Sequence, residues 1–379
     1  MSKKYIIIIA LLALTAFTSG YLLIEKDTGR PGWRSKTGAL LEKFQDPTAE
    51  TKSDSQSASA PLTDHKVLSA TNSSTGSVVF YEKNTGKVFE VNPGDRIEKT
   101  VSDKVLANLT STIWAPNKKD VISTYYSQKG DIFKYYDYTT KKTSDFSSDT
   151  KKVVFSPDSN LVAYLVFNPG ASESDGSGKI FISQPDGEYP KKILNTRLED
   201  VELYWPLPDQ IAIKTKSSLF LLSKEGALTD LIESGSGNID VRWSQDGKKL
   251  IFSYTDSNTA ETQLWLKNVE TKEETMLDTG FSASDCTWSI DDKNIICSTP
   301  QSRGNTENNI YQIDTSNASK KIVATSIVGV KDIFLSSLED YIIFTSPLDE
   351  KLYAIKLVVS HKLLVFSKKL PGKELFLSC

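Results

Sequence analysis

The sequence predicts an all-β protein, a seven-bladed β-propeller of four-stranded blades preceded by an N-terminal transmembrane helix and a flexible linker. Three observations predict it. From residue 66 onward, a short apolar strand ending in an aromatic, a tight polar turn and a second apolar strand recur. A further aromatic follows each such hairpin, at intervals of 53, 48, 39, 45, 46 and 42 residues. Near the N-terminus lies an uncharged stretch as long as a bilayer is thick.

The chain is taken first at that stretch. Lys3 and Lys4 precede a run without charge from Tyr5 to Ile24, and Glu25 ends it. A helix of this length spans about 30 Å, the thickness of the hydrocarbon layer. The two lysines place the N-terminus in the cytoplasm, so residues 1–24 are expected to anchor the chain in the cytoplasmic membrane with the rest outside it, periplasmic or extracellular. A cleaved signal peptide is the alternative, which would make the protein secreted: Ala16-Phe17-Thr18 before Ser19 forms a small-x-small site. No cysteine closely follows the run, which argues against a lipid anchor. Residues 25–65 read as a disordered linker, because Asp46 to Asp64 is rich in Ser, Thr, Ala, Asp and Lys and poor in large apolar residues.

The hairpins begin after the linker. They read Ile113-Trp114-Ala115-Pro116-Asn117, Val154-Phe155-Ser156-Pro157-Asp158, Tyr204-Trp205-Pro206-Leu207-Pro208-Asp209, Arg242-Trp243-Ser244-Gln245-Asp246-Gly247, Thr287-Trp288-Ser289-Ile290-Asp291 and Ile333-Phe334-Leu335-Ser336. Pro, Asp and Gly at these offsets preset a β-turn, and the Asp side chain can bond the turn backbone. The following aromatics are Phe133, Phe181, Phe220, Trp265, Tyr311 and Tyr353, with Phe80 as the seventh. A period in the forties with four strands per unit is the pattern of propeller blades. On this reading the first unit begins at its second strand. Glu374-Leu375-Phe376-Leu377-Ser378 resembles the start of a unit, so residues 374–378 are expected to complete the first blade of a propeller spanning 66–379. Such closure would pair strand edges otherwise left open.

The stretch Trp243-Ser244-Gln245-Asp246-Gly247-Lys248-Lys249-Leu250-Ile251-Phe252 resembles the repeat of TolB-like propellers, and Phe155-Ser156-Pro157-Asp158 is similar. The likeness extends over 66–379 and implies a propeller that binds partner proteins or caps a peptidase. The Gly-His and Trp-Asp signatures of WD repeats are absent, as is a hydrolase domain after the propeller.

Composition limits the chemistry. Of 379 residues 39% are apolar and 25% charged, and the formal net charge of −3 offers no basic field for nucleic acid. There are two histidines, His65 and His361, neither beside a Gly-x-Ser-x-Gly elbow, and both read as turn or surface residues. No spacing suits zinc, no glycine-rich loop suits phosphate, and no calcium loop occurs, so no catalytic, cofactor or metal residue is expected. Asp158, Asp246 and Asp291 read as turn caps, and Trp114, Trp205, Trp243 and Trp288 as core.

Cys286 and Cys297 flank a hairpin turn symmetrically, which sets them opposite one another. A disulfide and a pair of buried thiols both fit that placement. Cys379 is the odd cysteine.

The connections between second and third strands swell at Asn168 to Gly178, Asp256 to Glu261 and Pro300 to Asn308. In a propeller these share one face, so Asn168, Glu173, Asp175, Asp256, Glu261, Arg303 and Glu307 are candidate partner contacts. The expected function is that of a monomeric, non-enzymatic scaffold for a protein of the cell envelope. An envelope hydrolase or lyase, an orphaned peptidase propeller, or a glycan or small-molecule sensor using the central channel is the alternative. Converging Asp, Glu, Tyr or Arg side chains in that channel would favour the alternative.

Overall fold

The computed structural model describes residues 56–58, 60–168, 170, 177–233, 237–256, 259–300 and 307–357. The expected anchor 1–24, residues 25–55 and 59 of the expected linker, the expected strand 374–378, His361 and Cys379 lie outside the described residues. Among the described residues no helix is long and apolar enough to cross a membrane.

Strand β1 is Gln56–Ala58. Blade 1 comprises β2 (Val67–Asn72), β3 (Val78–Glu82), β4 (Val88–Val91) and β5 (Glu98–Ser102), and blade 2 comprises β6 (Leu109–Trp114), β7 (Asp120–Tyr125), β8 (Ile132–Asp137) and β9 (Thr143–Asp145). Blade 3 holds β10 (Thr150–Phe155), β11 (Val162–Phe167), β12 (Gly178–Ser183) and β13 (Lys191–Thr196), and blade 4 holds β14 (Glu202–Leu207), β15 (Gln210–Lys214), β16 (Ser218–Ser223) and β17 (Leu228–Glu233). Blade 5 is β18 (Ile239–Trp243), β19 (Lys249–Thr255), β20 (Thr262–Asn268) and β21 (Glu274–Thr279). A short 3-10 turn, Ala283–Asp285, leads into blade 6, made of β22 (Cys286–Trp288), β23 (Asn294–Ser298), β24 (Asn308–Asp314) and β25 (Lys320–Ser326). Blade 7 has three described strands, β26 (Lys331–Leu335), β27 (Tyr341–Thr345) and β28 (Leu352–Lys356). Within every blade consecutive strands pair antiparallel.

Second strands such as β3, β11 and β27 are buried over four consecutive residues, so both faces of a blade are packed. Seven apolar clusters result, one at each interface between neighbouring blades. The cluster that closes the ring joins Val67, Val78, Phe80 and Phe89 of blade 1 to Ile343 and Leu352 of blade 7. The architecture is thus a seven-bladed propeller, as the repeats predict.

The phase of the first repeat differs from the prediction. Phe80 lies in the second strand of its blade and pairs with Phe89 in the third. Phe89 is therefore the counterpart of Phe133, and the step between them is 44 residues rather than 53. Blade 1 accordingly draws all four strands from Val67 to Ser102, and lacks no first strand for 374–378 to supply. An aromatic in both β3 and β4 made the phase ambiguous from spacing alone.

The linker boundary also moves. Strand β1 pairs parallel with β25 as a fifth strand on blade 6, with Ala58 opposite Ser326. The chain then crosses blade 7, where Leu62 N donates to Leu352 O at 2.7 Å and Val67 N to Glu350 O at 2.8 Å. Leu62 and Thr63 are buried, and Lys351 pairs with Asp64 at 3.0 Å. Lys66 and Lys83 both pair with Glu350. A strand added at a sheet edge is held by backbone hydrogen bonds, so a Ser-rich segment can join a fold that its composition does not announce.

Candidate functional site

Each first strand lines the central channel, and the hairpin turns are built as expected. Ser156 Oγ donates to Asp158 at 2.6 Å, Ser244 Oγ to Asp246 at 2.8 Å and Ser289 Oγ to Asp291 at 2.7 Å. These aspartates are committed to turn geometry. Trp114 and Trp288 serve packing, each indole N–H donating to a carbonyl of the preceding blade, Ser69 O at 3.2 Å and Arg242 O at 3.1 Å.

The expected partner-face positions fall as follows. Asn168, Asp256, Glu261 and Glu307 are described and do lie in connections between second and third strands. Asn168 Oδ1 accepts Gly170 N at 2.9 Å and Asp256 Oδ1 accepts Thr259 N at 3.1 Å, so both brace their own loops. Glu173, Asp175 and Arg303 lie outside the described residues. Cys286 and Cys297 pair directly across β22 and β23 and are bonded, with S–S 2.10 Å. Val241 and Phe252 occupy the equivalent opposite positions in blade 5. His65 is not a plain surface residue. Its ring stacks on Phe89 at 4.2 Å, and its two nitrogens lie 3.1 Å from Glu82 and 3.2 Å from Glu98.

A concavity lined by several titratable side chains lies in the channel wall of blades 4 to 6. Three residues before the aromatic that ends the first strand stand Glu202, Asp240 and Asp285, in three consecutive blades. The alternation along β14 and β18 sends Leu203 and Val241 into the core and leaves Glu202, Asp240 and Arg242 exposed. The three carboxylates therefore form an acidic arc around part of the channel. The same position in blades 3 and 7 holds Lys152 and Lys331.

Within the arc, Lys214 Nζ donates to Glu202 Oε1 at 2.7 Å and Tyr204 Oη to Glu202 Oε2 at 2.5 Å. Ser282 Oγ donates to Asp240 at 2.8 Å, and Arg242 Nη2 to Ser284 O at 3.2 Å. Burial raises the Glu202 carboxyl, but the Lys214 and Tyr204 hydrogen bonds outweigh it and hold the group below its ordinary value. Burial and the Glu202 carboxylate push the Tyr204 hydroxyl far up, so it stays protonated. Asp285 is raised by burial and by the negative charge of Asp240, against the pull of Arg242. Glu202, Tyr204, Lys214, Asp240 and Arg242 line a cavity of about 420 Å³. A second cavity of about 290 Å³ shares Glu202, Lys214 and Asp240 and reaches Thr215 and Lys216. Those last two belong to the connection between β15 and β16, so the arc opens on the face that carries the swollen loops. No group of three or more His, Cys, Asp or Glu among the described residues is placed to hold a metal ion.

Sequence reading missed this arc. The signal was present as acidic residues at one offset from the strand-ending aromatic, in three successive repeats.

No family model matches the chain, and no curated protein does. Solved structures do. An oligogalacturonate lyase in complex with manganese is similar at TM-score 0.60 and 10% identity, over 80% of this chain and 96% of its own. The oligogalacturonate lyase from Vibrio parahaemolyticus is similar at TM-score 0.58 and 11% identity, over 78% and 92%. TolB from Acinetobacter baumannii aligns at TM-score 0.44 and 16% identity, over 69% and 64%. At such identities the two lyases establish the fold and nothing about activity.

Proposed function

We propose that this protein is a membrane-anchored, extracytoplasmic interaction module that binds a protein of the cell envelope through the loop-bearing face of its propeller. The observation that carries this reading is one of position: Glu202 and Asp240 of the acidic arc line cavities that open on the face where the connections at 168–178, 256–261 and 300–308 emerge. Long connections on one rim of a rigid scaffold, around a charged channel mouth, make a concave docking surface. The lysines Lys3 and Lys4 and the apolar run 5–24 support the anchoring and the orientation. The reading treats the module as a single propeller without catalysis.

Crosslinking in native membranes followed by mass spectrometry tests it. A chain carrying Glu202→Gln, Asp240→Asn and Asp285→Asn, with minimal turns replacing the three loops, is expected to lose the neighbour that the parent chain captures. Unchanged capture would overturn the reading.

The alternative, a channel enzyme or glycan sensor, is favoured by one observation. A protonated hydroxyl on Tyr204 and a carboxylate on Glu202 line one cavity at the channel mouth together with Asp240. Turnover or binding of anionic oligosaccharides by the purified chain, abolished in Tyr204→Phe, is the result that would replace the first reading with this one.

A further inference from the structure

At five blades the outer end of the interface carries one device, and at one of those five it fails. In blades 1, 3, 4, 5 and 6 the fourth strand bulges opposite the third-strand aromatic, and the residue left out of register is apolar: Val101, Ile193, Leu231, Leu277 and Val323. A bulge turns its extra side chain out of the ladder. Ile193, Leu231, Leu277 and Val323 each pack into the cluster shared with the next blade. Val101 instead is 47% exposed.

The cause lies across the interface. The covering blades 4, 5 and 6 have fourth strands of six or seven residues, and blade 7 has the segment from Leu62 laid along β28, whereas β9 of blade 2 has three residues. Blade 2 is thus too narrow at its rim to cover the plug that blade 1 offers. What is left is a groove of about 480 Å³ between the two blades, the size of a small-ligand or anchor-residue pocket. Its apolar side is Val88, Val101 and Val105, with Val105 61% exposed. Tyr125, Tyr136 and Tyr138 face it, and Tyr138 Oη is bonded to Tyr81 Oη at 2.9 Å. The charges that line it are Lys104, Lys134, Lys141 and Asp145, and Asp145 pairs with Lys134 at 3.2 Å. The rim is therefore net positive, on a chain that is net negative.

We infer that this groove is a docking site for an acidic peptide segment of a partner protein, which inserts one bulky apolar side chain against Val101 and sets carboxylates on Lys104 and Lys141. Charge complementarity selects the occupant: an apolar anchor fills the space that neighbouring interfaces fill internally, and carboxylates meet the lysine rim. Tyrosine-rich walls suit such a site, because they give wide apolar contact and a polar tip at low entropic cost. The inference does not rest on the loop-face reading, since the groove lies between blades 1 and 2 and the acidic arc on blades 4 to 6.

The test is fluorescence anisotropy on the full chain in detergent. One labelled peptide carries a phenylalanine flanked by glutamates, a second has lysines in place of the glutamates, and a third has serine in place of the phenylalanine. Only the first is expected to bind. Its affinity should fall about tenfold or more in Lys104→Glu/Lys141→Glu, whose changes are on exposed side chains, and in Val101→Trp, which fills the groove. Equal binding of the three peptides, binding of none, or affinity unchanged in both variants would overturn the proposal. Displacement of the first peptide by polygalacturonate at equal charge would do so too, by assigning the groove to an anionic glycan.

Discussion

The carboxylate of Asp292 accepts the backbone amide of Gln245 at 2.8 Å across the interface between blades 5 and 6, and that of Asp246 at 3.1 Å. Asp292 has a positive φ of 53°, as do Lys118, Ser159, Gly247 and Glu339 at the corresponding place in other hairpin turns. Each of these residues reaches the preceding blade. Ser159 Oγ accepts Asn117 N at 3.0 Å, Glu339 accepts Ile290 N at 2.5 Å, and Lys118 Nζ donates to Thr71 at 3.0 Å. At Gly247 a Cβ would stand 2.1 Å from Pro206 O, so only glycine fits there. In blades 2, 3, 6 and 7 the left-handed residue of the turn is also a latch to the preceding blade.

Replacing Asp292 by Ala is expected to destabilise the propeller by about 1–3 kcal/mol, because two amides lose their acceptor. Urea unfolding at neutral pH measures it. A cost equal to that of an exposed Asp→Ala elsewhere would show that the latch is idle.

Leu62, 5% exposed, packs in the cluster that closes the ring. Leu62→Ala should cost about 2–5 kcal/mol, the range for a buried leucine. A change within about 0.5 kcal/mol, as at ordinary surface sites, would return residues 60–65 to the status of a passive stalk.

Acid should weaken the fold through the turn aspartates. The Ser156 and Ser289 hydroxyls hold the Asp158 and Asp291 carboxyls below their ordinary range. Burial raises Asp246, but the Lys248 amide and the Ser244 hydroxyl outweigh it. A folded pKa lying below the unfolded one contributes stability above the unfolded value, near about 3.9, and loses it as pH falls through the folded value. Melting temperature should thus be level from about pH 7 to pH 5 and drop below about pH 4. The double variant Asp158→Asn/Asp291→Asn should start lower at neutral pH and fall less steeply. Parallel curves for variant and parent would contradict the assignment.

The bond between Cys286 and Cys297 closes a short loop of sequence separation 11. Denatured, unreduced protein should titrate one thiol per chain, that of Cys379, instead of three. Reduction, or Cys286→Ala/Cys297→Ala, should lower stability by about 2–4 kcal/mol.

Local order was legible because it is written locally. Strand alternation, the Ser-x-Asp turns and the strand-ending aromatics recur within one blade, so a single repeat reports its own hairpin. The opposition of Cys286 and Cys297 followed from counting around one turn, since antiparallel register is fixed by the turn at its centre.

What the tertiary structure alone decided is everything that needs two distant segments at once. The phase of blade 1, with Phe80 against Phe89, depends on which strand edge its neighbours cover. The polar segment 56–65 joins the fold through backbone bonds to β25 and β28, which side-chain composition does not record. The acidic arc and the groove at Val101 arise from equivalent residues of different blades meeting, or failing to meet, across an interface. Spacing along a chain sets the contents of each blade, whereas closing the ring sets which contents face one another.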